Sequence, residues 1–186
     1  MPTSLVIQTS FLGDVVLTTP LVAQLTVHGP VDVVTSPAAA GLLANNPDIR
    51  RVVTYDKRGR DSGLLGLRKL AREVRAPDAD AVAYMAQGSV RSAALALFAG
   101  YRQRVGFATS AGRWLYTQQV PSGRAQHHVE RLWRLGAGGG AVRHPERRLL
   151  HFQGQEPERA GIVRGHATGG DGGRDTQRGS GAPTPP

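Results

Sequence analysis

The stretch SLVIQTSFLGDVVLTTPLVAQL, residues 4–25, decides how we expect the chain to fold. The run from Leu5 to Ile7 is short, apolar and β-branched, which is typical of a parallel strand buried on both faces. We expect Gly13 to let the backbone turn sharply after this strand, and a helix to begin at Asp14. Because ligands collect at the carboxyl ends of parallel strands, Asp14 is predicted to lie where chemistry can occur.

Pro20 interrupts the apolar pattern of that first helix. A proline inside a helix loses a hydrogen bond and clashes with the preceding turn, at a cost of about 3 kcal/mol. The sequence therefore allows two paths. Either the helix kinks at Pro20, or Thr19 caps a main helix in which Pro20 is the first residue.

The rest of the chain alternates between short β-branched runs and apolar runs with helical spacing. Further strands are predicted at residues 31–35, 51–55, 80–85, 104–107 and 115–120. Helices are predicted at residues 37–45, 64–75, 90–99 and 128–135, with Ser89 as the cap of the helix at 90–99. This alternation predicts an α/β fold, a Rossmann-like doubly wound parallel sheet.

The last part of the chain differs in composition. Residues 136–186 are rich in Gly and Pro and have no sustained apolar period, so burial cannot offset the entropy of ordering them. We therefore predict a domain at residues 1–135 and a disordered tail at residues 136–186. Within that tail, Leu149 to Phe152 is the patch that fits a strand.

The net charge of +9 on 186 residues indicates an anionic partner: a phosphorylated substrate, an anionic membrane or a nucleic acid. Nucleic acid fits least, because the arginines are scattered over several elements without interleaved aromatic residues. The absence of cysteine excludes a disulfide-stapled secreted domain and thiolate metal sites. No signal peptide or long apolar run is found, so we expect a cytoplasmic protein.

Two adjacent histidines, His127 and His128, are the candidates for a metal site. Adjacent residues do not share a helical face, and no third ligand stands at a suitable spacing. We therefore predict no metal.

Four motifs occur in a characteristic order. They are FLGD at residues 11–14 followed by TP at 19–20, QGS at 87–89 followed by RSA at 91–93, RVGF at 104–107 and HVER at 128–131. Together they resemble the N-terminal half of glycosyltransferase family 9, the ADP-heptose:lipopolysaccharide heptosyltransferases, and the heptosyltransferase II branch is nearest. The resemblance covers residues 4–135. It implies a glycosyltransferase-B architecture with two Rossmann-like domains, of which this chain has the acceptor-binding one.

The resemblance also implies a reaction. Similar proteins transfer heptose from ADP-heptose, the donor substrate, to the inner core of lipopolysaccharide with inversion and without a metal or other cofactor. Asp14 matches the position of the base. One carboxylate suffices for such a displacement, since cations or helix N-termini can stabilise the departing diphosphate. From the residues alone, a helix cap is favoured over a base as the role of Asp14, and the resemblance reverses that preference.

The resemblance implies an acceptor that carries phosphate and carboxylate groups, for which arginine is a bidentate partner. The loop with Lys57, Arg58 and Arg60 is one candidate, although a solvated surface turn explains it equally well. A strand meets a helix N-terminus near Gln87, Ser89 and Arg91, which suits an anionic ligand. The alternative is that Ser89 only caps the helix and Arg91 is an exposed charge. Gly13 and Arg113 complete the predicted acceptor-binding residues.

The sequence alone leaves two classes of function open. The first is an enzyme: the acceptor half of a heptosyltransferase-like protein, expected to be truncated and inactive alone. Its partner is the phosphorylated core glycolipid, with contact to the inner membrane surface. The second is a non-catalytic Rossmann-like module that binds an anionic glycan or nucleotide. A salt-titrated binding assay that compares core glycolipid with oligonucleotide is expected to separate the two classes.

Overall fold

A computed structural model describes residues 2–122 and 127–138. In this part of the chain six parallel strands form one sheet, in the order β3-β2-β1-β4-β5-β6. They are β1 Ser4–Ile7, β2 Val31–Thr35, β3 Arg51–Thr54, β4 Val82–Met85, β5 Gln103–Phe107 and β6 Gln118–Val120. The winding reverses between β1 and β4, so the topological switch point lies at their carboxyl ends.

Helices cover both faces of the sheet. They are α1 Leu12–Val16, α2 Thr19–Thr26, α3 Pro37–Leu43, α4 Gly63–Glu73, α5 Val90–Phe98 and α6 His128–Gly136, and a short 3₁₀ helix spans Arg113–Leu115. Leu5 and Ile7 of β1 pack in the core with α4 and α5, whereas Val6 packs in a second core with α1, α2, α3 and α6. Because alternate residues of a strand face opposite sides, β1 contributes to both cores. The predicted doubly wound α/β sheet is confirmed.

The chain follows the second of the two paths predicted around Pro20. Helix α1 ends at Val16, and α2 begins at Thr19 with Pro20 in its first turn. The missing N–H of Pro20 costs no helical hydrogen bond there. The residue at the cap position is Thr18, one residue earlier than predicted, and its hydroxyl lies 2.9 Å from the carbonyl oxygen of Asp14.

The predicted sharp turn at Gly13 is wrong. Gly13 is the second residue of α1, and its φ angle is not positive. The turn after β1 is made by Gln8 to Phe11, and Phe11 has extended backbone angles. A Cβ added at Gly13 meets no atom within 4 Å, so neither the backbone nor packing requires glycine here.

The region after β5 also differs from the prediction. Residues 115–120 were expected to form one strand, but Leu115 ends the 3₁₀ helix and β6 begins only at Gln118. The predicted domain boundary at residues 135/136 stays a prediction. The strand suggested at Leu149 to Phe152 and the predicted disorder of the tail beyond residue 138 lie outside the described residues.

The amino edge of the sheet carries a charge cluster that holds strands together. Asp32 is buried and accepts hydrogen bonds from Arg50 Nε at 2.9 Å and from Arg51 Nη2 at 2.9 Å. This cluster lies at the opposite edge from the switch point and is structural. None of the described helices is long and apolar enough to span a membrane.

Candidate active site

Hydrogen bonds join the carboxyl ends of β1 and β4 at the switch point. The side-chain Oε1 of Gln87 accepts from the backbone N–H of Thr9 at 3.2 Å and from the Thr9 hydroxyl. The backbone N–H groups of Gln8 and Gln87 extend the pairing beyond the strands, to Val34 and Ile7 respectively. The loop from Gln8 to Ser10 is therefore held from both neighbouring strands.

Asp14 is presented by the first turn of α1, immediately beyond this loop. Its side chain is 35% exposed. Ser10 Oγ lies 2.8 Å from Asp14 Oδ2 and 2.9 Å from Gln8 Oε1, and its single hydrogen is donated to one of them at a time. One carboxylate oxygen thus has a neighbouring donor, while the group remains open to solvent.

His128 approaches the other carboxylate oxygen from α6. Its Nε2 lies 3.9 Å from Asp14 Oδ1, and its side chain is 30% exposed. The ring nitrogen Nδ1 lies 3.2 Å from Nη2 of Arg131. Arg131 in turn lies over the Phe107 ring, 4.9 Å from its centroid. Sequence reasoning considered His128 only as a metal ligand and missed this contact; its one signal was the HVER motif.

A cationic pocket of about 310 Å³ opens at the same edge, on the side of α4 and α5. Lys57 Nζ donates to the Thr9 carbonyl oxygen at 3.0 Å, and Arg91 Nη1 donates to the Lys57 carbonyl oxygen at 3.0 Å. These bonds fix Lys57 against the loop that leads to Asp14 and fix Arg91 against Lys57. The pocket is lined by Thr9, Tyr55, Lys57, Arg58, Ser89, Arg91 and Ser92.

The charges of this pocket repel one another. Burial lowers the pKa of the Lys57 ammonium, and the nearby charges of Arg58 and Arg91 lower it further. Burial also raises the pKa of Tyr55, and Arg91 opposes that rise. No carboxylate is among the residues that line the pocket in the described part of the chain. An anion would relieve the repulsion between the cations, so the pocket suits a phosphate or carboxylate group.

The N-terminus of α5 adds donors to the pocket. Ser89 caps the helix, as predicted, by accepting from the backbone N–H of Ser92 at 3.1 Å. The hydroxyl oxygens of Ser89 and Ser92 lie 2.8 Å apart at the pocket wall. The positive end of the helix dipole further favours an anion here.

The structure brings together four of the predicted acceptor-binding residues: Lys57, Arg58, Ser89 and Arg91. Gln87 lies beside them, but its amide oxygen is engaged by Thr9.

Three other predicted residues, Gly13 of α1, Arg60 and Arg113, are not among the pocket-lining residues. Arg60 is 68% exposed and pairs with Asp61 at 3.3 Å, and Arg113 is exposed on the 3₁₀ helix. Three pocket-lining residues were not predicted: Thr9 and Tyr55, which belong to no motif, and Ser92, which lies in the RSA motif but was not singled out.

No metal-binding group emerges from the described residues. Nowhere in residues 2–122 and 127–138 do three or more His, Asp or Glu side chains gather as ligands would. The prediction that no metal takes part therefore remains a prediction.

The chain is similar to known glycosyltransferases. Residues 67–143 match the sequence profile of "Glycosyltransferase family 9 (heptosyltransferase)". Among solved structures, a family 9 glycosyltransferase from Veillonella parvula is similar with a TM-score of 0.66 and 23% identity, over 76% of this chain and 42% of that one. The E. coli heptosyltransferase WaaC with ADP is similar with a TM-score of 0.64 and 22% identity, over 77% of this chain and 49% of that one.

A third structure, the E. coli ADP-heptose LPS heptosyltransferase II, is similar with a TM-score of 0.63 and 25% identity. That match covers 77% of this chain and 42% of the other. Among curated proteins, no sequence matches significantly. The chain therefore spans less than half the length of the solved structures that it matches. The resemblance to glycosyltransferase family 9 is confirmed, and the fold is that of its heptosyltransferases.

Proposed function

We propose that this family 9-like chain binds the acceptor and supplies the base for transfer of heptose from ADP-heptose to the lipopolysaccharide inner core. One observation carries the proposal. Asp14 is accessible at the switch point, and the loop before it also forms a wall of the cationic pocket, through Thr9. A base and an anion site therefore share one edge of the sheet.

The proposed step is a single inverting displacement. Asp14 removes the proton from an acceptor hydroxyl while the hydroxyl oxygen bonds to the anomeric carbon of the heptose. The bond from that carbon to the diphosphate oxygen breaks, and ADP leaves with the electron pair. The proton remains on Asp14 until solvent takes it. General-base assistance of this kind contributes about two to four powers of ten to the rate.

The cationic pocket is the proposed site of the acceptor's phosphate or carboxylate. Arg58 and Arg91 offer guanidinium groups that bind such anions in pairs of parallel hydrogen bonds. Lys57 donates one of its three ammonium hydrogens to Thr9, and it adds a point charge to the pocket. An anion held there anchors the acceptor while its hydroxyl reaches Asp14 around the loop of Thr9 and Ser10. Gly13, whose Cβ position is open, leaves room beside the base.

The donor is proposed to bind outside the described domain. Residues 2–122 and 127–138 form one sheet, whereas the similar structures are more than twice as long as the part that matches. Stabilising the departing diphosphate requires cations or helix N-termini on the donor side of the reacting carbon. We therefore expect no sustained transfer by this chain alone. We also propose, from the resemblance, that the reaction uses no metal or cofactor.

The acceptor is a glycolipid, so we also propose contact with the cytoplasmic surface of the inner membrane. Leu64 and Leu65, 56% and 82% exposed, follow the basic loop at the start of α4. Exposed leucines beside arginines suit the apolar boundary and the anionic headgroups of a bilayer. Nucleic acid is not favoured as the partner, because the cations of the chain are not accompanied by a motif that recognises bases.

The experiment is a comparison of binding and transfer. The purified chain is titrated with core glycolipid, the dephosphorylated glycolipid and an oligonucleotide at several salt concentrations. ADP release from ADP-heptose is then followed with and without the nucleotide-binding half of a similar heptosyltransferase. We expect phosphate-dependent, salt-sensitive glycolipid binding, and transfer only when that half is supplied. Binding of an anionic glycan without transfer in either case would favour the alternative, a non-catalytic module.

A further inference from the structure

We propose that His128 is a positioning residue that holds Asp14 from the side opposite Ser10. This inference rests on the proposed function, because it concerns the residue that would take the acceptor proton. The geometry that carries it is the approach of His128 Nε2 to Asp14 Oδ1 at 3.9 Å. Ser10 Oγ lies 2.8 Å from the other oxygen, Oδ2.

The tautomer of His128 follows from its neighbour. Arg131 Nη2 lies 3.2 Å from Nδ1 of the ring, and a guanidinium can only donate. Nδ1 must therefore accept, and the hydrogen of a neutral ring is on Nε2. Nε2 is the nitrogen that faces Asp14, and it is buried without a hydrogen-bond partner among the described residues. The ring thus directs an N–H toward the carboxylate.

Arg131 is itself held in place. Its guanidinium lies over the Phe107 ring on β5, at 4.9 Å from the centroid, which restricts its movement. A series of contacts therefore connects Phe107, the last residue of β5, through Arg131 and His128 to Asp14.

Few other charges face His128 from the elements packed around it. Glu130 pairs with Arg134 along α6 at 3.0 Å. Helix α2, which packs against α6, carries no charged side chain. Arg104 of β5 donates to the carbonyl oxygens of Tyr101 and Leu115. Asp14 and Arg131 are charged residues that contact the ring itself.

A carboxylate with a donor on each side cannot rotate freely. A movement of about 1 Å brings Nε2 into hydrogen-bonding distance of Oδ1, and catalytic hydrogen bonds commonly tighten when the substrate binds. The second lone pair of each oxygen remains for the acceptor proton. His128 then acts on turnover through Asp14, whereas acceptor affinity depends on the cationic pocket.

The first test uses the chain as it is. The ¹⁵N shifts of the His128 ring at neutral pH report which nitrogen carries the hydrogen. We expect the Nε2–H form, and we expect its Nε2 signal to move in Asp14→Asn while that of His28, in the turn after α2, does not. An Nδ1–H ring, or an Nε2 signal insensitive to Asp14→Asn, would overturn the inference without any assay of transfer.

The second test is made with the nucleotide-binding half supplied. His128→Met removes the donor and should lower kcat about 10-fold with little change in the acceptor KM, as expected for one lost hydrogen bond to a charged group. His128→Gln keeps an N–H donor and should restore most of the rate. His127→Met is the matched control and should behave as wild type. Circular dichroism checks the folding of each variant.

The outcomes separate the two proposals. If His128→Met transfers as fast as wild type, the positioning role is refuted while the proposed function stands. If the wild type itself transfers nothing, the proposed function fails, and the ¹⁵N measurement still decides whether His128 directs its N–H at Asp14.

Discussion

Replacing Gly13 by alanine tests two questions separately: whether the backbone requires glycine at this position, and whether the acceptor uses the space beside it. Gly13 lies in α1 without a positive φ, and an added Cβ meets no atom within 4 Å. Alanine is favoured over glycine by up to about 1 kcal/mol inside a helix. Because α1 has only five residues and Gly13 is the second, we expect a gain of about half that, or about 2 °C in Tm.

The functional effect of Gly13→Ala should have the opposite sign. The new methyl group occupies the open space beside Asp14, so acceptor binding should weaken even as the domain becomes more stable. Gly41→Ala is the matched control, because Gly41 also lies in a helix, α3, and its Cβ meets no atom. It should add stability without changing binding.

Urea unfolding and glycolipid titration of both variants test this reasoning. A loss of more than about 1 kcal/mol in Gly13→Ala would show that the backbone needs glycine after all. Unchanged glycolipid binding in Gly13→Ala would show that the acceptor does not use the space.

Three further predictions concern the surroundings of the site. The double variant Arg58→Ala/Arg91→Ala should weaken glycolipid binding and flatten its salt dependence. Arg60 lies outside the pocket, so Arg60→Ala should change neither. Equal effects of the two variants in a salt titration would contradict the assignment of the pocket. Gln87→Ala should cost about 1–3 kcal/mol in urea unfolding, because it leaves loop donors unsatisfied, and a neutral result would refute that role. Burial raises the pKa of Tyr101 from 10.0 to about 12, so between these pH values the folded chain keeps a proton that the unfolded chain loses. The free energy of unfolding should therefore fall as the pH rises from about 10 to about 12. It should fall less in Tyr101→Phe, and an equal fall would rule out this residue as the cause.

The sheet was predictable because its signals are local. Short β-branched runs such as Val31 to Thr35 are buried throughout, as a doubly covered parallel strand must be. Ser89 caps α5 because a serine before an apolar helical run satisfies a free N–H group. The right-handed crossover rule then leaves few orders for strands that alternate with helices.

The site was only partly predictable, because its contacts are not local. Lys57 meets Thr9 across 48 residues, and such a contact depends on which strands become neighbours. Arg60 carries the same charge as Arg58 but pairs with Asp61, which no pattern of cations reveals. Gly13 misled the prediction because glycine permits a turn without requiring one.

The approach of His128 to Asp14 depends on how α6 docks against the sheet. That docking is set by the burial of Leu132 and Leu135 in the core shared with α2, and not by the histidine itself. The HVER motif includes His128, but the contact of His128 with Asp14 is seen only in the structure.

The most direct test of the central claim is the turnover of Asp14→Asn with the nucleotide-binding half supplied. Steady-state ADP release gives kcat, and titration of the glycolipid gives its Kd. Asparagine keeps the size of the side chain but cannot take a proton, so kcat should fall by at least about 100-fold while Kd changes by less than about 2-fold. Turnover within about 3-fold of wild type, outside the range expected for loss of a general base, would contradict the assignment of Asp14 as the base.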